Sequence, residues 1–348
     1  MTDFALSDEE RIQITSDGDI VLLGQIVEEV DFLKQIYKNI RAKDHYFISQ
    51  ANHREFVIEA YDQILVIPQL IMERGKWLFR PVEDVEFEIN LNELYLDDWD
   101  RLLGRTKDQI PFVLTDSAQE QVFKACDEYD DDSITFEGHI YPTPYYYQSN
   151  SSVNESSWWS AKYRENNKPG WDLEGHHPML ENAISTLKLN KSKILVTGSG
   201  KGHDAAFLAK QGHIVHGLDF SSEAITAAKS LYGEGDQLKW ITADIFDFNK
   251  LGVYDLVFDH TSYCAIQPKR RNELVRKWHQ FLRDGGHLLG IFFAMDKQNG
   301  PPFGGSEWEL AKRCEKGFRP IYWNRLPSAP QYSRHGIEFM AYLQKVNS

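Results

Sequence analysis

The second half of the chain alternates short apolar runs with segments of helical spacing. Three segments, at 204–211, 222–232 and 269–284, repeat apolar residues at helical intervals. The apolar runs that flank them predict five strands, which are Lys193–Val196, His213–Leu218, Leu238–Ala243, Tyr254–Asp259 and His287–Ala294. Alternating strands and helices are typical of a parallel sheet covered by helices on both faces. We therefore predict a doubly wound, Rossmann-like α/β domain, whose ligands bind where the strands end.

The first half of the chain mixes strand and helix patterns. Asp19–Ile26 is a short apolar run that predicts a strand, and 28–40 has the spacing of an amphipathic helix. Apolar residues alternate with acids and amides over 84–96, as on a half-buried strand. We predict an accessory α+β domain over residues 1–148 and the α/β domain over 149–348. Regulatory, dimerising, substrate-covering and purely structural roles are all open for the accessory domain.

Charge and composition narrow the functional classes. The chain of 348 residues has a net charge of −14, and residues 1–150 alone carry −18, from 31 acidic and 13 basic side chains. An acidic half repels a polyphosphate backbone, so we do not expect nucleic acid as a partner. No apolar run is long enough for a bilayer, and the first ten residues lack the regions of a signal peptide, so we expect no membrane association and a cytoplasmic location. The oligomeric state is open, a homo-oligomer included.

Cysteine and histidine usage predicts no metal site. The cysteines Cys126, Cys264 and Cys314 are odd in number and widely spaced, which fits neither a disulfide framework nor a zinc site. We therefore expect three reduced thiols and no bound metal.

Three glycines occupy alternate positions after the first predicted strand of the α/β domain. They are Gly198, Gly200 and Gly202, and a helix is expected from about Asp204. Glycine allows unusual backbone angles and lets a ligand approach the main chain with no Cβ in the way. A nucleoside ligand is indicated by Asp219, which ends the next strand, where a carboxylate can accept hydrogen bonds from both ribose hydroxyls.

The glycine spacing separates two classes of nucleoside ligand. A dinucleotide fingerprint requires glycine at position 203, which is His203 here. The spacing Gly-x-Gly-x-Gly is common in enzymes that use S-adenosylmethionine, and these often contact the adenine from the end of the third strand, where Asp244 lies. S-adenosylmethionine is therefore the predicted cofactor, and a nicotinamide dehydrogenase is a more distant alternative.

Four collinear segments between Trp158 and Val346 resemble the thiopurine and thiol methyltransferase family of class I methyltransferases. They are WWSAKYRENNKPGWDLEGHHP, the glycine loop with GHIVHGLDFS, YDLVFDHTSYCAIQPKRR and MDKQNGPPFGGSEWEL. The resemblance implies a class I methyltransferase sheet and transfer of a methyl group to a small molecule, at a thiol or another soft nucleophile. Residues 1–150 lie outside it.

The resemblance also implies roles for individual residues. The cofactor would be covered by aromatic residues of the entry arm, held by the glycine loop at its methionine part, and contacted at its ribose and adenine. The residues that match these positions are Trp159, Tyr163, Trp171, Gly198, Gly200, Gly202, Asp219, Asp244 and Ile245. There is one extra residue between Tyr163 and Trp171 relative to the family's usual spacing. His260 stands where some members carry an arginine, which replaces a fixed cation by a group that can be neutral at pH 7.

The acceptor is less defined than the cofactor. A thiol needs little help to become a nucleophile, whereas a hydroxyl or an ammonium needs a base. The candidate bases are His260 and Asp259, followed by His176 and His177, all near predicted strand ends or the entry arm. The alternatives are a small-molecule N- or O-methyltransferase on the same scaffold and a protein that binds S-adenosylmethionine without turning it over.

Overall fold

The computed structural model describes residues 4–5, 10–165, 168–326 and 328–346. The N-terminal elements are β1 (Phe4–Ala5), β2 (Arg11–Ile14), β3 (Ile20–Leu22), β4 (Gln25–Ile26), α1 (Val30–Lys38), β5 (Arg41–Lys43), β6 (Tyr46–Ala51) and β7 (Arg54–Ala60). Strands β2 to β7 form a sheet of order β4-β3-β2-β7-β6-β5. The predicted helix is present as α1, and it buries Phe32 and Ile36 against Ile12 and Phe56 of this sheet.

A second six-stranded sheet follows, with the order β8-β13-β12-β11-β10-β9. Its strands are β8 (Leu65–Ile67), β9 (Ile71–Glu73), β10 (Lys76–Phe79), β11 (Phe87–Leu96), β12 (Leu102–Thr106) and β13 (Pro111–Leu114). Helix α2 (Asp116–Ala125) follows, and then β14 (Glu128–Tyr129), β15 (Ser133–Phe136) and β16 (His139–Pro142) form a separate three-stranded sheet. One buried cluster joins Phe47 and Ile58 of the first sheet to Trp77 and Phe112 of the second. The two sheets therefore share a core, and the prediction of an additional N-terminal α+β domain is confirmed.

The prediction of one strand over Asp19–Ile26 is wrong. The segment is a hairpin of β3 and β4, which pair antiparallel. Leu23 and Gly24 form its turn with φ angles of 53° and 77°. The turn was hidden in the sequence because one of its two residues is apolar, so the residues on both sides look like one continuous run. Leu23 adopts a left-handed conformation that is uncommon for leucine, and such a residue does not predict a turn.

The C-terminal part is built on a seven-stranded sheet of order β19-β18-β17-β20-β21-β24-β22. Its elements, with the preceding arm, are α3 (Ser156–Glu165), α4 (Met179–Thr186), β17 (Lys193–Thr197), α5 (His203–Lys210), β18 (Ile214–Asp219), α6 (Ser222–Tyr232), β19 (Leu238–Thr242), β20 (Tyr254–His260), α7 (Arg271–Phe281), β21 (Leu282–Phe293), α8 (Glu307–Cys314), β22 (Phe318–Arg325), β23 (Ser328–Ala329) and β24 (Glu338–Lys345). Strands β17 to β21 run parallel, and β24 is antiparallel to both of its neighbours. All five predicted strands are present, and so is the doubly wound α/β fold.

The central strands β17 and β20 are almost entirely buried, as expected where helices cover both faces of a parallel sheet. Ser221 caps the start of helix α6, and its hydroxyl accepts a hydrogen bond from the amide of Ala224. Strand β23 pairs with β1, so the start of the chain returns to the α/β domain. Within the described residues, no helix combines the length and the apolar character needed to cross a membrane.

Ion pairs and hydrogen bonds join the N-terminal domain to the α/β domain. Arg105 pairs with Asp296 at 2.6 Å, and the Arg325 guanidinium donates to the carbonyl of Ala60 at 2.7 Å. The connecting arm is ordered, since the Tyr147 hydroxyl donates to Glu309 of α8. The boundary near residue 148 stays a prediction.

Candidate functional site

A cavity of about 480 Å³ opens at the carboxyl ends of β17, β18, β19 and β20. Eight of the nine residues matched to the cofactor line it, and the exception is Gly202. The four sequence segments that carry the resemblance therefore meet at one place. The rest of the wall comes from the end of β20, from residues after β21 and from the segment before β24. In that order, these contribute His260, Lys297 and Arg334.

The glycine loop provides bare backbone at the cavity floor. Gly198 and Gly200 have φ angles of 57° and 53°, in the left-handed region that favours glycine. A Cβ on Gly198 would lie 2.4 Å from Cβ of Ser262, and one on Gly200 would lie 3.1 Å from the Tyr163 hydroxyl. Side chains at these two positions would occupy space beside the cavity, so the loop suits a ligand that approaches the main chain.

Gly202 has a different reason to be glycine. Its φ is 82°, and an added Cβ would lie 2.2 Å from Cη2 of the buried Trp240 ring. Close packing against β19 therefore requires this glycine, and it lies outside the cavity wall.

Asp219 ends β18 and holds the glycine loop. Its two carboxylate oxygens accept hydrogen bonds from the amides of Gly200 and Ser221, each at 2.8 Å. Burial raises the pKa of Asp219, and the bonds from the amides oppose this. The carboxylate lines the cavity and is fixed in position, as a group that accepts from a ribose must be.

The aromatic arm covers one side of the cavity. Trp171 packs edge-on against Trp159 and Tyr163, with ring centroids 5.6 and 5.9 Å apart. The Trp171 indole donates to the Tyr163 hydroxyl at 3.2 Å, and that of Trp159 donates to the Val153 carbonyl at 2.9 Å. These bonds fix the three rings relative to one another, so the arm is a built wall.

Asp172 fastens this arm to the glycine loop, and sequence reasoning missed it. Its carboxylate contacts Lys201 at 2.8 Å and His203 at 3.0 Å. Burial raises the pKa of Asp172, but the bonds from His203 and Lys201 outweigh burial and lower it below its usual value. The only signal for this residue was its place beside Trp171 in the aspartate-containing element of the arm.

Asp244 and Ile245 line the cavity two and three residues after β19 ends. The Asp244 carboxylate accepts from the amide of Phe246 at 2.8 Å, which shapes the turn. Arg270 lies over the Phe246 ring, with Cζ 3.5 Å from its centroid. This end of the cavity thus offers one carboxylate beside apolar and aromatic surface, a composition that suits a purine.

His260 is held between a carboxylate and a guanidinium. Its Nδ1 lies 2.8 Å from the Asp204 carboxylate, and its Nε2 lies 3.1 Å from Nη1 of Arg334. A guanidinium can only donate, so Nε2 accepts and the proton is assigned to Nδ1. Burial and the Arg334 charge lower the pKa of His260, while Asp204 raises it, and the net shift is downward. His260 is therefore a neutral imidazole whose free lone pair is occupied by Arg334.

A buried network continues from His260 to β24. His177 is fully buried; its Nδ1 accepts from the Met179 amide and its Nε2 donates to Glu338 at 3.1 Å. Glu338 also accepts from Arg334 at 3.2 Å. Ligand atoms of His177, His260 and Glu338 lie within 4.8 Å of one another, but hydrogen bonds already engage each of them, so we assign no metal to this group.

Asp259 does not line the cavity. It is fully buried at the end of β20, and it accepts from the Thr197 hydroxyl at 2.8 Å and from Ser262 and the Tyr263 amide. Burial raises the pKa of Asp259 to about 6. Its predicted catalytic role is not supported by contact with the cavity, because its bonds join the end of β17 to the loop that follows His260.

The remaining candidate bases have structural partners. His176 stacks on Phe207, with ring centroids 3.9 Å apart, and contacts Glu181 at 2.9 Å.

The prolines Pro301 and Pro302 line the cavity, but Phe303 is fully buried and its amide donates to the Cys264 carbonyl. The Phe303 ring therefore packs inside the domain and lies outside the cavity wall.

Comparisons with known proteins match this half of the chain. The sequence model of the thiopurine S-methyltransferase family covers residues 154–323. Thiocyanate methyltransferase 1 of Brassica oleracea is 30% identical over 156 residues, which are 44% of this chain and 68% of that protein. Thiocyanate methyltransferase 1 of Arabidopsis thaliana is 28% identical over 172 residues, 48% of this chain and 75% of that protein.

Among solved structures, one of Burkholderia thailandensis 1,6-didemethyltoxoflavin-N1-methyltransferase with S-adenosylhomocysteine aligns with a TM-score of 0.48 and 17% identity, over 64% of this chain and 99% of that one. The family match covers the segments that converge at the cavity. The chain belongs to the thiopurine S-methyltransferase family and is an S-adenosylmethionine-dependent methyltransferase that acts on a small molecule.

Proposed function

We propose that this enzyme methylates the sulfur of a small thiol or of a comparably soft anion. The observation that carries the proposal is the state of His260, whose free lone pair accepts from Arg334. A hydroxyl or ammonium acceptor needs a base at the site, and His260 is not available as one. A thiol is already a few per cent thiolate near pH 7, so it needs only to be bound and oriented.

Cations on the acceptor side of the cavity support the same proposal. Arg334 is 5% exposed, lines the cavity and has its guanidinium fixed by His260, Glu338 and the Trp171 carbonyl. A fixed positive charge stabilises a thiolate or another anionic nucleophile relative to its neutral form. The curated relatives named as thiocyanate methyltransferases also act, by their names, on a sulfur nucleophile.

Within this proposal the predicted residues have separate tasks. The backbone of Gly198 and Gly200 with Asp219 would hold the methionine and ribose parts of the cofactor, while Asp244 and Ile245 would hold the adenine. When bound, S-adenosylmethionine supplies a methyl group that is already activated for transfer. The chain must then align the acceptor and exclude water, and Trp159, Tyr163 and Trp171 would do so by covering the cavity.

The cavity also limits the size of the acceptor. Its volume of about 480 Å³ lies near the lower end of the range of about 300–1,000 Å³ for small-molecule sites. Because the same space must hold both the cofactor and the acceptor, the acceptor is small. We further propose that residues 1–148 form an accessory domain that contributes to this cavity. A cytoplasmic location stays a prediction.

The experiment is methyl transfer from labelled S-adenosylmethionine to matched thiol, hydroxyl and amine acceptors of equal carbon skeleton. Transfer to the thiols alone is the expected result. Preferred transfer to the hydroxyl or the amine would contradict the proposal, and it would reassign His260 as a base that Arg334 releases. Binding of the cofactor with no transfer to any acceptor, thiocyanate included, would argue for a protein that binds S-adenosylmethionine without turnover.

A further inference from the structure

The N-terminal domain contributes a side chain to the cavity. His45 occupies the tip of the hairpin formed by β5 and β6, and it lines the same cavity as the glycine loop. Its neighbour Asp44 has a φ of 55°, which completes the turn between the strands. The family match begins only at residue 154, so no family position corresponds to this histidine.

Buried packing fixes the hairpin against the α/β domain. Tyr46, directly after His45, lies in a buried cluster with Val57 of β7 and with Met295 and Ile337 of the α/β domain. Gly336 lies so close to Val57 that an added Cβ would be 3.1 Å from Cγ1. The position of His45 at the cavity is therefore set by the domain interface.

The same interface positions Lys297. Met295 packs on Tyr46, and the next residue, Asp296, pairs with Arg105 of the N-terminal domain at 2.6 Å. Lys297 lines the cavity, and its carbonyl accepts from the Gly304 amide at 2.8 Å, which anchors its backbone. His45 and Lys297 are thus each adjacent in sequence to a residue that contacts the other domain.

The balance of charge in the cavity indicates what these two residues bind. The wall has four carboxylates, and three of them are engaged: Asp172 pairs with Lys201, Asp204 contacts His260, and Asp219 accepts from two amides. The fourth, Asp244, accepts from the amide of Phe246. In contrast, across the residues that the structure describes, neither the imidazole of His45 nor the ammonium of Lys297 has a hydrogen-bond or ion-pair partner. Both groups line the cavity, so together they offer a ligand a hydrogen-bond donor and a cation.

We propose that His45 and Lys297 bind an anionic group of the acceptor, such as a carboxylate, across the domain interface. The inference rests on the proposed function, because it makes the acceptor a small thiol that also carries a negative charge. It also gives the N-terminal domain a role in acceptor recognition. The imidazole N–H donates a hydrogen bond to the anion, and the ammonium of Lys297 adds a charge-assisted one.

The test uses the full chain and two thiols of similar size, 3-mercaptopropionate and the neutral 1-propanethiol. His45→Gln and Lys297→Gln should each lower kcat/KM for 3-mercaptopropionate by about tenfold, mainly through KM, and leave that for 1-propanethiol unchanged. His139→Gln and Lys210→Gln are matched controls, because both residues lie outside the cavity wall. Unchanged affinity for S-adenosylhomocysteine shows that each variant is folded.

A binding measurement separates this inference from the proposed function. S-adenosylhomocysteine carries no transferable methyl group, so 3-mercaptopropionate can be titrated calorimetrically into that complex without reaction. If both variants bind it as the wild type does, the anion site is refuted, even where thiols are methylated. If the wild type methylates no thiol, the proposed function fails, and the same titration still decides whether the two residues bind a carboxylate.

Discussion

Alanine at Gly200 and at Gly202 should affect different properties of the enzyme. Both glycines have a positive φ, of 53° and 82°, so each alanine costs about 1–2 kcal/mol in backbone strain. At Gly202 the new Cβ would also lie 2.2 Å from Cη2 of Trp240, a buried ring whose indole donates to the Gly233 carbonyl. Such overpacking costs about 1–3 kcal/mol more, so Gly202→Ala should lose about 2–5 kcal/mol of stability.

The cost at Gly200 should appear in cofactor binding. In the part of the chain that the structure describes, an added Cβ there would meet just the Tyr163 hydroxyl, at 3.1 Å, so Gly200→Ala should lose only the strain of about 1–2 kcal/mol in stability. The methyl group would stand in the cavity wall, and we expect the Kd for S-adenosylhomocysteine to rise at least about tenfold. Urea unfolding and calorimetry measure the two quantities. Equal stability of both variants, or wild-type affinity in Gly200→Ala, would refute the assignment of the loop.

Three further predictions follow from buried carboxylates. Asp219→Ala should weaken S-adenosylhomocysteine binding by about 1–3 kcal/mol in calorimetry, because it removes a charge-assisted acceptor; unchanged affinity would contradict its contact with the ribose. The pKa of Asp259 rises from 3.8 to about 6 on folding, so the protonated carboxyl stabilises the folded state fully below about pH 4. This stabilisation, about 3 kcal/mol, is lost as the pH rises through 6. In urea unfolding, the free energy of unfolding of Asp259→Asn should not fall over this pH range. A pH dependence of that free energy equal to that of the wild type would refute the prediction. Glu309→Gln removes the charge shared by the buried Arg271 and Arg313, so it should cost about 3–5 kcal/mol of stability in urea unfolding, and a cost below about 1 kcal/mol would show that neither cation depends on it.

The parallel strands and the cofactor-matched residues were predictable because their signals are local. Each central strand is a short apolar run between polar turns, and the glycine loop and Asp219 keep fixed distances along the chain. In a doubly wound sheet, the carboxyl ends of adjacent parallel strands meet, so residues after β17, β18 and β19 converge without further information. The chain pattern therefore predicted which of these residues line the cavity, and their contact with the cofactor stays a prediction.

The acceptor side was not predictable from local patterns. Arg334 lies 74 residues after His260 along the chain, and their contact depends on how the segment before β24 folds back over the sheet. Asp259 and His260 are adjacent in sequence, yet only His260 lines the cavity, because successive residues of a strand point to opposite sides. The place of His45 at the cavity depends on how the N-terminal domain packs against the α/β domain, and no local pattern predicts that packing.

The position of Arg334 bears on the family's substrate chemistry. At position 260 this chain has histidine where some members carry arginine, and a neutral imidazole alone would leave that side of the cavity without a fixed charge. Arg334 reaches His260 from the segment before β24, and its guanidinium donates to the Nε2 atom of that imidazole. His260 is kept in one tautomer by Asp204, so it serves as the acceptor that orients the guanidinium. Arg334 therefore places a guanidinium, paired with Glu338, at the cavity wall although position 260 is histidine. Under the proposed function, an anionic sulfur nucleophile then does not require arginine at position 260.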